Sequence, residues 1–214
     1  WGNLHNYVAA VCKFYLIHDI ELNKNRINRF MPEHIKVKKD RAYSFEEIMK
    51  LLNLSNERTR VIILLLASTG VRLGALPLLK VSDLLDRTDT YKIIVYPNTR
   101  QEYFTYCTPE CKAAIKSYFE IRERHGESIT NDSPVIREQY NHQRPTISSK
   151  ASFTTKGAIH RVLEEITDRA GLRTRVHKIP YRDSLKDVKL AHGFRKFFNT
   201  QLVTSGINPL IKEL

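Results

Sequence analysis

The chain has 214 residues, 42% hydrophobic and 27% charged, which is a globular composition rather than a disordered or fibrous one. Lysine and arginine number 35 against 23 aspartate and glutamate; the net charge of +12 suits a polyanionic partner whose phosphates are neutralised by cations. The longest apolar run, 61–67, is far short of the ~20 residues that span a bilayer, and no secretory leader pattern opens the chain. Cys12, Cys107 and Cys111 form neither a disulfide framework nor a CxxC metal site, so no metal is expected and a cytoplasmic, reducing setting is.

Leu4, Val8, Val11, Tyr15 and His18 recur at three- and four-residue steps, predicting a helix over 3–20. The chain opens inside that helix, so residues 1–35 are expected to be the C-terminal piece of a helical region. Residues 33–41 (EHIKVKKDR) follow Pro32 and carry little apolar content, and 36–43 reads as a basic linker. Its Lys36, Lys38, Lys39 and Arg41 either track a phosphate backbone or form a solvated connector. Ser44, with Glu47 three residues on, is a capping box that opens a helix to about Leu54. A second helix over 56–68 is apolar all round in its middle, the mark of a buried core helix, and Gly70 stops it.

Residues 91–96 (YKIIVY) and 103–108 (YFTYCT) are rich in β-branched and aromatic side chains and flank Pro97-Asn98-Thr99-Arg100, predicting a hairpin. Thr108 as N-cap and Pro109 as first helical residue open a helix that ends near Gly126. Residues 131–150 read as loop, 152–170 as a helix stopped by Gly171, and 173–190 as basic and mixed. A helix over 191–204 follows, although Gly193 near its start costs about 1 kcal/mol against alanine. Pro209 opens another helix. About seven helices and one hairpin define a mainly α fold with a small antiparallel β-sheet, in the α+β class.

Two clusters carry chemistry. Arg72 follows Ser68-Thr69-Gly70-Val71, just past the most apolar helix. There its planar donor fork can meet two phosphate oxygens, or it can serve as a cation that satisfies helix C-terminal carbonyls. His192 and Arg195, three apart, share one face of the 191–204 helix, opposite Phe194, Phe197 and Phe198. An imidazole beside a guanidinium suits phosphate stabilisation with proton movement at neutral pH, and a surface cation cluster is the alternative. No nucleotide-binding GxxxxGK[ST] or GxGxxG and no HExxH is present.

Together the two clusters change the reading. The stretch 68–76 (STGVRLGAL), followed by Leu79 and Asp83, resembles the first arginine motif of the tyrosine recombinase (phage integrase) superfamily, and 191–198 (AHGFRKFF) resembles its HxxR motif. The sequences around Gly74-Ala75-Leu76-Pro77, Glu102–Thr105 and Thr108-Pro109-Glu110 are similar to archaeal members. The resemblance covers about 40–214 and implies a recombinase-type catalytic domain over 44–214, with 1–35 ending a helical core-binding domain. It implies site-specific integration or recombination of mobile-element DNA, in which a tyrosine attacks a phosphodiester to leave a 3′-phosphotyrosyl link, without metal or cofactor. Arg72 and Arg195 would clamp the non-bridging oxygens and His192 would assist proton transfer. The partners implied are double-stranded DNA and further copies of the chain, a tetramer in the synaptic complex and a monomer without DNA, near the nucleoid.

Three departures stand out. The family places an acidic residue three positions after its first arginine, and this chain has Ala75. The family's hairpin lysine has no counterpart in 97–101, where Arg100 is the only cation. No tyrosine follows Tyr181, so the expectation is a polypeptide truncated before the nucleophile that binds DNA without forming the covalent link. Lys36, Lys38, Lys39, Arg41, Arg173, Arg175, Lys178 and Lys196 are the expected DNA-tracking cations. A non-catalytic DNA-binding module, a helical RNA-binding protein and a type IB topoisomerase are the competing readings.

Overall fold

A computed structural model of the chain describes residues 2–31, 41–140, 149–172, 175–179 and 182–206. It divides into two compact units, 1–39 and 40–214. The first contains α1 (Gly2–Ile17), which stops three residues short of the predicted end, and α2 (Lys24–Arg29). The second helix was not legible, because KNRINR has no apolar periodicity. Its start is set by a cap, the Asn23 side chain accepting from the Arg26 amide at 3.0 Å. The basic linker lies outside the described residues, apart from Arg41 to Tyr43.

The second unit is built around one helix. The predicted capping box opens α3 (Phe45–Asn53), with Ser44 Oγ accepting from the Glu47 amide and Glu47 accepting from the Ser44 amide at 2.8 Å. Asn56 caps α4 (Glu57–Thr69), whose Val61, Ile62, Ile63, Leu65 and Leu66 are fully buried. Helix α4 touches α3, α5 (Pro109–Arg124), α6 (Lys156–Arg169) and α7 (Leu190–Thr204). An all-round apolar helix needs cover on every side, and four helices and a sheet supply it. Helix α6 begins four residues later than predicted, because Thr155 is its cap and Phe153 pairs with Arg137 as an isolated bridge.

The predicted hairpin is present as β2 (Tyr91–Val95) and β3 (Tyr103–Tyr106), and β1 (Leu84–Asp86) adds a third antiparallel strand on the β2 edge. Three residues are too few to show a period, and β1 is fixed by its pairing, Leu84 opposite Ile93 and Asp86 opposite Tyr91. A second hairpin, β4 (Arg175–Ile179) with β5 (Arg182–Lys186), lies in the stretch read as basic and mixed. The charged sequences RVHKI and RDSLK offer no alternating apolar face, and their register shifts along the ladder. The helix expected from Pro209 lies outside the described residues, in which seven α-helices occur.

Two ion-pair clusters fix the irregular segments. Arg41 donates to both Glu47 oxygens at 2.7 Å and to Asp187 at 3.0 Å, joining the start of the unit to the strand leading into α7. The Arg41 hydrogen bonds hold the Glu47 carboxyl below its ordinary range. The other cluster is buried: Glu127 accepts from both Arg122 and Arg137, and all three are at most 4% exposed. Arg122 also donates to the carbonyls of Pro134 at 2.8 Å and Val135 at 3.2 Å, and Arg137 to that of Lys150 at 3.1 Å. Among the described residues no helix is long and apolar enough to cross a membrane.

Candidate phosphate-binding site

The site is built on the end of α4. Gly70 closes that helix in the left-handed conformation, φ 61°, and its amide bonds the Leu66 carbonyl. Arg72 lies two residues beyond, on the turn leading to the 3-10 segment Leu76–Leu78, with its own carbonyl bonded by the Ala75 amide at 2.9 Å. Val71, Leu73 and Ala75 on either side are buried, so this stretch is pinned by its apolar residues while Arg72 is exposed. The guanidinium makes no hydrogen bond or ion pair among the described residues, so it does not serve as a carbonyl cap.

Helix α7 brings the second cluster to the same corner. Arg195 Nη1 donates to the Gly70 carbonyl at 2.8 Å, across 125 residues of sequence. Phe198, one turn further on, lies so close that a Cβ on Gly70 would stand 2.3 Å from its ring. Glycine at 70 is therefore required twice, for the backbone conformation and for the approach of α7. His192 sits in the first turn of α7, one turn before Arg195, and is exposed with no hydrogen bond among the described residues. Arg195 at the Gly70 carbonyl and Arg72 two residues past it thus flank one helix end, and among the described residues no carboxylate pairs with either guanidinium.

The hairpin meets this corner from the third side. Thr105 Oγ1 donates to the Thr69 carbonyl at 3.4 Å. Tyr103, on the same inner face of β3, lies beside Arg195 and within reach of the charge on Arg72; burial pushes its hydroxyl pKa up and the two cations oppose that shift. Since Tyr103 pairs with Val95 at the turn end of the ladder, the 97–101 turn stands next to the arginines. That turn is set by Tyr96 and Asn98 at positive φ and by the Asn98 amide donating to Glu102 at 2.6 Å, and Arg100 is exposed within it.

Gly193, which lowers helix propensity, has a packing reason. A Cβ there would lie 2.5 Å from Val188 Cγ1 and 2.8 Å from the Tyr43 ring, which itself stacks on Phe194 at 4.5 Å. Gly193→Ala is therefore expected to lose about 1–3 kcal/mol of stability through overpacking, despite its better helix propensity, as read by chemical denaturation.

The expected DNA-tracking cations fall differently. Arg41 has its charge matched by Glu47 and Asp187, which gives it a structural use. Lys196 is half-buried on α7. Lys36, Lys38, Lys39 and Arg173 lie outside the described residues; Arg175 and Lys178 fall on β4, where side chains are not described. The charged residues were legible in the sequence; Tyr103, Thr105 and Phe198, which flank the end of α4 beside them, were not. Gly70 was read as a stop signal, and its second duty needs the fold to be visible.

This architecture is that of the catalytic domains of tyrosine recombinases. XerA recombinase superposes with a TM-score of 0.59 at 21% identity, over 96% of this chain and 63% of that one. The integrase of transposon Tn1549, in complex with transposon right-end DNA, gives 0.61 at 15% identity, over 99% of this chain and 69% of that one. A lambda integrase dimer bound to a COC′ core site gives 0.58 at 16% identity, over 88% and 61%. The chain thus spans less than two thirds of the XerA and lambda integrase chains. No protein-family model matches the sequence, and no curated protein matches it.

Proposed function

We propose that this chain binds duplex DNA and activates one of its phosphodiesters, as part of a site-specific tyrosine recombinase or integrase of the archaeal type that its motifs resemble. The observation that carries the reading is the corner at Gly70, where Arg72 and Arg195 meet without an acidic partner among the described residues. Like charges kept together and unneutralised in the protein are a pre-formed site for an anion. A guanidinium matches two phosphate oxygens, remains charged at any working pH and gains further as charge builds on a pentacoordinate phosphorus. His192 donates to the same phosphate and moves a proton as a tyrosine oxygen attacks and the 5′-oxygen leaves. Arg100, on the adjacent turn, binds the backbone near the leaving oxygen; as a permanent cation it is a poor proton donor.

No nucleophile is assigned among these 214 residues. The cations Lys36, Lys38 and Lys39 and those of 173–189 add phosphate contacts, and synapsis of paired sites by four copies completes the reading. The test is duplex binding across a salt series. The double substitution R72A/R195A should weaken binding at every sequence alike and reduce the slope of log affinity against log salt by about 2, near one released counterion per lost cation. An unchanged slope would place the DNA elsewhere on the molecule.

A further inference from the structure

Phosphate binding leaves the polar side chain of Tyr103, in this corner, without a task. It stands at the turn end of β3 with its side chain turned inward, edge-on to Tyr96 at 6.3 Å between ring centres. Its hydroxyl is enclosed and has no partner at hydrogen-bonding geometry among the described residues, although the Arg195 guanidinium lies beside it. An enclosed hydroxyl in that state weakens the fold, and a phenylalanine would fill the same space without the loss.

Arg195 is the cation beside that hydroxyl. A guanidinium carries five N–H donors in a rigid plane. One, on Nη1, is held by the Gly70 carbonyl at 2.8 Å. A single acceptor fixes a point and leaves the plane free to swing about it. A second acceptor on the protein side would set the plane and direct the remaining donors outward. The Tyr103 oxygen is the enclosed acceptor beside it. The strand that carries Tyr103 is itself tied to the same helix end through Thr105 and the Thr69 carbonyl at 3.4 Å.

We propose that Tyr103 is a positioning residue whose hydroxyl oxygen accepts a hydrogen bond from Arg195 when that guanidinium takes a phosphate, fixing the fork between the Gly70 carbonyl and the hairpin. The inference rests on the phosphate-binding reading of Arg72 and Arg195. It couples the β2–β3 hairpin to the arginines, so a displacement of the hairpin is felt at the phosphate. Preorganisation of this kind raises affinity by removing the cost of ordering the fork at the moment of binding.

Tyr103→Phe removes the oxygen and keeps the ring. With a mixed-sequence duplex oligonucleotide as probe, Y103F should bind about tenfold more weakly, the worth of one hydrogen bond to a charged group. Its melting temperature should stay the same or rise. In the R195A background, the same change should cost no further affinity, because the group it orients has gone. Equal losses in both backgrounds, an unchanged affinity for Y103F, or a fall in melting temperature that tracks the loss of affinity would each overturn the positioning role. R195A alone separates the two levels. If it leaves duplex affinity intact, the phosphate-binding reading fails. If it weakens binding while Y103F does not, only the role of Tyr103 fails.

Discussion

On the proposed reading, Arg72→Ala should abolish DNA strand cleavage by a polypeptide that joins this chain to a nucleophilic tyrosine, while leaving its melting temperature where it was. The two halves of this expectation have separate physical grounds. Arg72 is exposed and has no hydrogen bond or ion pair among the described residues, so truncating it belongs with surface substitutions that change stability by about 0.5 kcal/mol or less. The turn that carries it is held by the buried Val71, Leu73 and Ala75, which the substitution does not touch. Cleavage, by contrast, needs donors already aimed at the charge that builds on phosphorus. Removal of one such donor costs roughly 100- to 1,000-fold in rate. Formation of a covalent protein–DNA adduct on a suicide duplex, measured beside thermal unfolding, reads both. A large drop in melting temperature with a matching drop in adduct would make Arg72 a structural cation. Retained duplex binding with no adduct from that unsubstituted polypeptide would make the chain a binding module of the same fold.

The second large effect is on stability and comes from Glu127. Its carboxylate is the only anion in a buried cluster with Arg122 and Arg137 among the described residues. Removing it takes from two enclosed guanidiniums the carboxylate they share. Loss of one partner from a buried ion pair costs about 3–5 kcal/mol, so Glu127→Ala should lower the melting temperature by roughly 10 °C for a chain of this size. The cluster also positions the segment 131–137, which runs beside the continuation of the Arg72 turn. The Val81 amide bonds the Ser133 carbonyl and the Val135 amide the Leu79 carbonyl, both at 2.9 Å. Proteolysis should therefore begin in the 127–137 segment of the variant before the helical core opens. A variant as stable as the parent would show that the arginines are satisfied by other groups.

The elements that were legible in the sequence are those whose boundaries are local. The Ser44–Glu47 box, the Thr108-Pro109 start and the αL glycine at 70 each fix a helix end with a few neighbouring atoms. The α4 run also announced itself, since seven consecutive apolar residues can only be buried. The elements that were missed depend on partners far along the chain. β1 exists because β2 lies beside it, and the β4–β5 hairpin has no apolar alternation to show. The residues Arg72, His192 and Arg195 were legible as types and by their resemblance to a family. The nearness of Arg72 and Arg195 at Gly70, and the parts played by Phe198 and Tyr103, arise from contacts between residues as far apart as Gly70 and Phe198, which no periodicity encodes. Arg41 shows the converse case. Its place in a basic run suggested a phosphate contact, and two carboxylates, one of them 146 residues away, give it a structural task.

Arg72, Arg195 and His192 are proposed to grip a single phosphate. A structure of the protein on duplex DNA tests it directly. One backbone phosphate is expected within hydrogen-bonding distance of both guanidiniums and the imidazole, over the end of α4. Duplex bound on another face, or the three groups reaching phosphates on different strands, would contradict it.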